Sequence, residues 1–329
     1  MTGEMSGQPQ IAVIVPVWNA AATLPRAVES VLAQRDVRVE VVVVDDCSTD
    51  DSAAIARDLA ARHPNVIVAV QQVNSGPAAA RNRAIELSSA PWVTPLDSDD
   101  FMRPGRLRAL LDHAEGEGCD FVADDLYQVP DTDIDGPARR LWSDGPIGVF
   151  RVTLDDFVAG NISAQHGGRR EMGFVKPLIR KTFLEKHALT YAEDMRLGED
   201  YELYAKALLA GARFDLIDPQ GYVAVIRAGS LSGQHGAREL GALVAADRRL
   251  LQSPGLPPAS RALLRQHLHE TEIRWRWARL IDAVKARNPV RALGCFAAPL
   301  GVVSALLGLL GEQMRLRGGR RLAAMIGKR

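Results

Sequence analysis

Along the first hundred positions, apolar runs alternate with helically spaced apolar residues, and each run ends in a polar cluster. Ile11-Ala12-Val13-Ile14-Val15-Pro16 carries no charge, the pattern of a strand covered on both faces. Pro16 is expected to end it, and Leu24, Val28, Val31 and Leu32 then share one face of a helix. Val39 to Val44 reads as a second strand, closed by Asp45-Asp46-Cys47-Ser48-Thr49-Asp50. Ser48, Thr49 or Asp50 can cap the helix that carries Ile55 and Leu59. A third strand, Val66 to Val70, leads through Asn74-Ser75-Gly76-Pro77 into another helix. A fourth, Trp92-Val93-Thr94-Pro95-Leu96, runs straight into Asp97-Ser98-Asp99-Asp100. This βαβαβαβ order predicts an α/β fold, a parallel sheet flanked by helices, in which ligands bind beyond the carboxyl ends of the strands. The polar clusters then meet on one edge.

Composition narrows the class. The chain has 329 residues, 47% hydrophobic and 24% charged, an ordinary globular balance with room for one domain and an appendage. Forty basic side chains balance forty acidic ones, so no global field attracts nucleic acid. Cys47, Cys119 and Cys295 form no CxxC pair, which implies neither a zinc site nor a disulfide framework and fits a reducing cytoplasm. Residues 1–10 lack the basic-then-apolar order of a secretion signal and are expected to be flexible.

The acidic cluster is the first candidate for chemistry. Burying like charges side by side is costly unless a cation neutralises them or they sit at the wet end of a strand. Oxygen ligands this close suit a hard divalent ion, Mg²⁺ or Mn²⁺, and a solvated turn is the alternative. An EF-hand is excluded, because Phe101 and Met102 stand where an oxygen ligand and the turn glycine belong. A second acid pair, Glu199-Asp200, follows Gly198 and opens a helix carrying Leu203, Ala207 and Leu208. Helix N-termini stabilise negative charge, so that pair has a purely structural reading as well.

Taken in order, Val15-Pro16-Val17-Trp18-Asn19, Val44-Asp45-Asp46-Cys47-Ser48-Thr49-Asp50, the stretch from Asn74 to Asn82 and Leu96-Asp97-Ser98-Asp99-Asp100 resemble the successive motifs of family 2 glycosyltransferases. Within that family the chain is similar to bacterial exopolysaccharide enzymes of the succinoglycan-assembly kind. The resemblance runs from about Ile11 to about His235 and implies the GT-A fold over residues 11–235: a Rossmann-like, mostly parallel sheet flanked by helices. It also implies a nucleotide-sugar donor such as UDP-glucose or a related UDP-hexose, with Mn²⁺ or Mg²⁺ as cofactor. The implied acceptor is a saccharide, in particular a lipid-linked oligosaccharide at the inner face of the cytoplasmic membrane.

The resemblance assigns donor contacts to Pro16, Trp18 and Asn19 after the first strand, and to Asp45 and Asp46 after the second. Asn74, Gly76 and Arg81 are assigned around the third helix, Asp97, Ser98 and Asp99 after the fourth strand, and Arg227 further on. The chemistry agrees, since a carboxylate accepts hydrogen bonds from uracil N3–H or a ribose hydroxyl. Asp99 and Asp100 are the implied metal ligands, joined by His235, while Asp97 faces the donor sugar or ribose. Glu199-Asp200 resembles the Glu-Asp motif that supplies the catalytic base. Asp200 then takes the acceptor's proton, with Glu199 as its partner or an acceptor contact, and in-line attack inverts the anomeric centre. Asp124, Asp125 and Trp142 fall in the middle region that faces the acceptor, where turn or packing roles are the alternative.

Three features qualify the likeness. Cys47 stands where the family usually has glycine, so this turn is not expected to need positive φ. Thr271-Glu272-Ile273-Arg274-Trp275 lacks the glutamine of the QxxRW motif of processive synthases, which predicts addition of a single sugar. A nucleotidyltransferase on a similar sheet calls for a glycine-rich basic signature where Val17-Trp18-Asn19-Ala20 stands, and a non-catalytic nucleotide-sugar binder leaves the base carboxylate without a role.

Residues 236–329 read as a helical extension. Leu264, Leu268, Thr271, Trp275 and Ala278 share a helical face. Gly294 to Gly311 runs without a charge, between Lys285, Arg287 and Arg291 on one side and Arg315, Arg317, Arg320 and Arg321 on the other. Pro299 and the glycines weaken a spanning helix. The expectation is interfacial binding to an anionic membrane surface, with a buried helical hairpin as the alternative.

Overall fold

The structure, a computed structural model, describes residues 7–162, 172–227 and 236–326, with side chains as far as 315. β1 (Ile11–Val17), α1 (Leu24–Leu32), β2 (Val39–Asp45), α2 (Ser52–Arg62), β3 (Val66–Val70), α3 (Pro77–Leu87) and β4 (Trp92–Pro95) follow in the predicted order. The four strands pair in parallel as β3-β2-β1-β4. The two-residue period of β1 explains its uniform hydrophobicity. Ile11, Val13 and Val15 pack with Leu24, Val28 and Val31 of α1, whereas Ala12 and Ile14 face Ala78, Ala80 and Ala84 of α3.

Pro16 does not end β1, which continues to Val17. Ile14 accepts from the Leu96 amide on the β4 side, so Pro16, two residues on, faces the same side just beyond the end of β4. No ladder partner there requires the N–H that proline lacks.

The next elements are β5 (Phe101–Met102), α4 (Arg106–Glu117), β6 (Phe121–Asp124), β7 (Tyr127–Pro130), β8 (Arg139–Arg140), β9 (Val149–Val152) and α5 (Leu154–Asn161). After them come β10 (Leu178–Arg180), α6 (Lys181–Lys186), α7 (Glu199–Leu209), β11 (Phe214–Ile217) and β12 (Tyr222–Ile226). The main sheet has the order β3-β2-β1-β4-β10-β6-β11-β9, and a smaller one the order β5-β12-β7-β8. β10 is antiparallel to both its neighbours and β9 to β11, so the sheet is mixed rather than wholly parallel. Three-residue β10 joins the first four strands to the β6-β11-β9 group.

Polar groups buried beneath the sheet edge are paired. Arg106, with no exposure, places Nε 2.9 Å from Asp124 Oδ1 and Nη2 2.6 Å from the Lys176 carbonyl. Asp124 Oδ2 accepts from the Gln220 and Gly221 amides, and Asp125 accepts from the Trp142 and Ser143 amides. Both aspartates therefore fasten loops, as the packing alternative held, and Trp142 packs on Phe150.

The chain ends in α8 (Ala237–Leu251), α9 (Pro258–Lys285), α10 (Pro289–Gly294) and α11 (Leu300–Ile326). Leu250, Leu256 and Leu264 belong to the same apolar core as Phe121, Ala205 and Phe214, so that core does not stop at residue 235. Tyr201 of α7 donates to Asp247 Oδ1 at 2.9 Å, and His267 Nδ1 lies 2.8 Å from Asp247 Oδ2. Arg249 adds a paired contact to both oxygens of Glu202. Beyond this junction Cys295, Val302 and Leu306 are buried, while Val284, Val290, Leu293, Leu300 and Leu307 are exposed. No helix among the described residues is long and apolar enough to cross a membrane.

Removing one partner of a fully buried ion pair leaves the other charge uncompensated, which costs about 3–5 kcal/mol. Urea unfolding of Arg106→Ala is expected to register a loss of that size through Asp124. Glu86→Gln, which breaks an exposed pair with Arg83, should leave the unfolding midpoint where it is.

Candidate active site

The carboxyl ends of β1, β2 and β4 and the start of α3 form one polar edge, held together by side chains crossing between loops. The Asn19 amide donates to Ser48 Oγ and Asn19 Oδ1 accepts from the Thr49 amide, at 2.9 and 2.8 Å. Asp50 accepts from the Ala21 amide and from Ser52, the first residue of α2. The N-cap of α2 is Asp51, which makes no side-chain capping bond, so the expected cap from Ser48, Thr49 or Asp50 is not formed; Asp50, one position earlier, instead ties the loop after β1 to Ser52. Trp18, 52% exposed, stands at the rim of this edge, next to half-buried Pro16.

Asp45 and Asp46 lie at the bottom of the edge. Asp45 Oδ1 accepts from the Ser48 amide, and its Oδ2 is buried with no hydrogen-bond partner among the described residues. Asp46 Oδ1 and Oδ2 accept from the Ser75 and Gly76 amides, each at 2.7 Å. Burial raises the Asp46 carboxyl above its ordinary range against those two amides. A carboxylate oxygen has more than one acceptor direction, so Asp46 retains capacity for a further donor. Asn74 completes the turn, donating to the Asp46 carbonyl and accepting from Arg196. Gly76 has φ 97°, which no side chain adopts easily, and Arg196 lies in contact range of a Cβ placed there.

Cys47 corrects an expectation. Its φ is 61°, so the turn is left-handed even though a side chain occupies it. The amide of Ser48 must swing back to Asp45, and that path requires αL geometry whatever residue is present.

At the end of β4 the acids separate by role. Asp97 is gripped by two buried cations: Arg81 Nη2 is 2.7 Å from Oδ1 and Lys176 Nζ is 3.1 Å from Oδ2. Burial pushes Asp97 up, but Lys176 and Arg81 outweigh it and hold the carboxyl well below its usual range. Arg81 also pairs with Glu199 Oε1, and Lys176 Nζ donates to Asp200 Oδ2 at 2.9 Å. The end of β4 and the start of α7 are therefore bridged twice. Burial raises the Glu199 carboxyl, Arg81 opposes it and the Asp200 charge reinforces it. Asp200 Oδ1 has the Tyr204 hydroxyl at 3.4 Å.

Asp100, expected beside Asp99 as a ligand, turns into the fold. Its Oδ1 accepts from the Val225 amide and its Oδ2 from the Tyr222 hydroxyl, both at 2.8 Å. Burial drives this carboxyl far above the normal range, and the Asp97 and Asp99 charges add to the rise. Asp99, by contrast, is partly exposed and pairs with Arg227, while its carbonyl accepts from Arg26 at 2.6 Å. One accessible carboxylate beside half-buried Ser98, with only oxygen donors, fits a hard divalent cation whose shell is completed by phosphate oxygens. His235 lies outside the described residues.

Arg26, Lys176 and Tyr222 are site residues that sequence reasoning missed. Each is a lone polar residue outside any motif, and its partners lie far away in the chain. Among the described residues one cluster of metal-ligand types, His113, Cys119 and Asp215, lies elsewhere. Arg151 already engages both Asp215 oxygens, and burial and the Asp215 contact push the Cys119 thiol up to about 12, so it stays protonated.

Residues 12–173 match the family model described as Glycosyl transferase family 2. The succinoglycan biosynthesis protein ExoU of Rhizobium meliloti (strain 1021) is 40% identical over 303 residues, which cover 91% of this chain and 86% of that protein. ExoO of the same organism, also described as a succinoglycan biosynthesis protein, is 34% identical over 87% of this chain and 80% of its own length. Among solved structures, S. aureus TarS 1-349 in complex with UDP superposes with a TM-score of 0.62 at 18% identity, covering 86% of this chain and 89% of that one. The mannosyltransferase PcManGT from Pyrobaculum calidifontis, in complex with GDP-Man and Mn²⁺, gives 0.56 at 20% identity over 97% and 84%. At these identities the two structures support the fold.

The left-handed turn at residue 47 makes a test independent of activity. Cys47→Gly removes the αL penalty of about 1–2 kcal/mol and adds back part of it as chain entropy, so thermal unfolding should show no loss or a gain of up to about 1 kcal/mol. Cys47→Val should be clearly destabilised, because a β-branched residue resists positive φ.

Proposed function

The chain belongs to glycosyl transferase family 2, and we propose that it transfers a single sugar, with inversion, from a nucleotide-sugar donor to a saccharide acceptor. One observation carries the reading. Arg81 and Lys176 hold the carboxylates at the end of β4 and the acid pair at the start of α7 in a single cluster on the ligand-binding edge of the sheet. The orphaned Asp45 Oδ2 and the spare acceptor capacity of Asp46 suit the N3–H of a uracil or a ribose hydroxyl, with Trp18 and Asn19 at the rim. Asn74 and Gly76 shape the turn beneath the nucleotide, Arg81 and Asp97 face the donor sugar, and Arg227 stands ready for phosphate.

Asp200 is the proposed base. Lys176 occupies Oδ2, and Oδ1, with the Tyr204 hydroxyl at 3.4 Å, is the less tightly held oxygen and the one assigned to the acceptor hydroxyl. That oxygen takes the proton while the acceptor oxygen attacks the anomeric carbon and the bond to the diphosphate breaks on the opposite side. An α-linked donor then gives a β-linked product. Asp99, with the donor's phosphates, is the group that would hold Mn²⁺ or Mg²⁺, which when bound supplies positive charge beside the leaving diphosphate. Asp100 keeps β12 and its phosphate-facing Arg227 against this loop.

The likeness to two succinoglycan biosynthesis proteins supports a role in exopolysaccharide assembly, where a UDP-hexose donor and a lipid-linked acceptor fit the chemistry. Exposed Val284, Val290, Leu293 and Leu300 beside exposed Lys285, Arg287 and Arg291 suit peripheral docking on an anionic membrane, with α10 and the start of α11 at the interface.

Two experiments test these readings. In a screen of nucleotide-sugars with Mn²⁺, Asp200→Asn should keep donor binding yet lose roughly two to four orders of magnitude in turnover. Asp99→Asn should instead lose the Mn²⁺-dependent part of donor binding measured by calorimetry. Full turnover after chelation would remove the metal, and wild-type turnover by Asp200→Asn would move the base elsewhere.

For the membrane, Leu293→Glu with Leu300→Glu should abolish co-sedimentation with vesicles rich in phosphatidylglycerol while leaving donor hydrolysis intact. Added salt should weaken binding by the unaltered protein, because the basic contribution is screened. Binding that ignores both changes excludes this face.

A further inference from the structure

We infer that Lys176 is a positioning residue for this transfer, its ammonium holding Asp97 and Asp200 in one frame as the countercharge of the base. The inference rests on the reading of Asp200 as the base.

The geometry comes from three directions. Lys176 Nζ stands 2.9 Å from Asp200 Oδ2 and 3.1 Å from Asp97 Oδ2, with 6% of its side chain exposed. Its backbone is fixed independently of α7. The Lys176 carbonyl accepts from Arg106, which is itself locked to Asp124, and two residues later β10 is hydrogen-bonded between β4 and β6. The ammonium is thus delivered from the sheet to an acid on the helix. Burial disfavours the charged amine, but Asp200 and Asp97 outweigh it and keep Lys176 protonated.

The groups facing Asp200 show why this cation matters. Arg81 approaches from α3, yet its guanidinium is bonded to Glu199 and Asp97. Glu199 and Tyr204 lie on the same helix, Tyr191 precedes it, and Asp97 faces it from the end of β4. Among the described residues, Lys176 is the cation in direct contact with Asp200. Glu199 and Asp97 both bring negative charge close to Asp200, and Lys176 is the countercharge in contact with it. It also engages Oδ2 closely, so that Oδ1, which has only the long 3.4 Å contact from the Tyr204 hydroxyl, is the oxygen assigned to the acceptor.

The test is the pH dependence of UDP-sugar turnover by the full chain with Mn²⁺, using UDP-glucose as the first donor. Lys176→Met should lower kcat by roughly tenfold to a hundredfold, with a smaller change in donor KM. Its acid limb should move up by roughly one to three pH units, the range for losing an opposite charge in contact. Lys176→Arg, which retains the charge, should return the limb toward the wild-type position. Asp97→Asn should move it the other way: the competitor for the ammonium is gone, and a like charge beside Asp200 is removed. General damage to the site does not produce shifts of opposite sign.

A Lys176→Met enzyme with wild-type kcat and acid limb overturns the inference. If that variant does not fold, Asp97→Asn decides, and an unmoved or raised limb overturns it. Asp200→Asn separates the two levels. Wild-type turnover by Asp200→Asn overturns the base and this inference with it, whereas a dead Asp200→Asn beside an unaffected Lys176→Met overturns this inference alone.

Discussion

Three carboxylates share one largely buried corner only because two cations stand between them. Asp97, Glu199 and Asp200 come from the end of a strand and the first turn of a helix, and like charges this close are costly without countercharges between them. Arg81 and Lys176 each touch two of the acids, and each pair of contacts spans two elements. The electrostatic requirement therefore also sets the geometry: α3, the end of β4, the approach to β10 and the start of α7 can be arranged only so that these charges meet. The opposed shifts follow: burial, with the Asp200 charge, raises Glu199 against its one cation Arg81, whereas at Asp97 burial is outweighed by Lys176 and Arg81 together.

The other buried polar groups hang from this corner. Tyr222 accepts from the Asp97 amide and donates to Asp100, so the loop after β4 is pinned from the small sheet. Arg106 and Asp124 hold the backbone of Lys176 from below. Behind α7, Tyr201 stacks on Phe157 and reaches Asp247 and His267, which makes α8 and α9 a backing for the helix that carries Asp200. The helical extension is thus built into the rest of the molecule through α8 and α9, and among its described residues the end of α9 with α10 and α11 turns large apolar residues outward.

Much of this was legible in the sequence wherever the signal was local. The strands β1 to β4 and their helices are written as runs and periods, and Asp45, Asp97 and Glu199 sit in recognisable acid clusters at their ends. What escaped depends on partners that no local window contains. A three-residue strand such as β10 has no period to read. Lys176 and Arg26 look like ordinary surface cations until the fold brings acids to them. Cys47 was misjudged because residue type is a weak guide to φ where hydrogen bonds dictate the path, and Asp100 because two adjacent acids in one motif can face opposite ways.

The small size of β10 bears on how the chain reaches this state. From Pro95 until Leu178 is made, β4 is an open edge with its backbone groups unpaired, and so is β6 once it forms. Parallel β1 to β4 can assemble from consecutive βα units as they emerge, but β4 and β6 are joined only when β10 arrives, and β6 and β9 only when β11 follows it. Such edges are templates for pairing with another chain. Contacts made this late in sequence close slowly. The slow, aggregation-exposed stage of folding thus falls on two short late strands, β10 and β11, and the approach to the first of them carries Lys176.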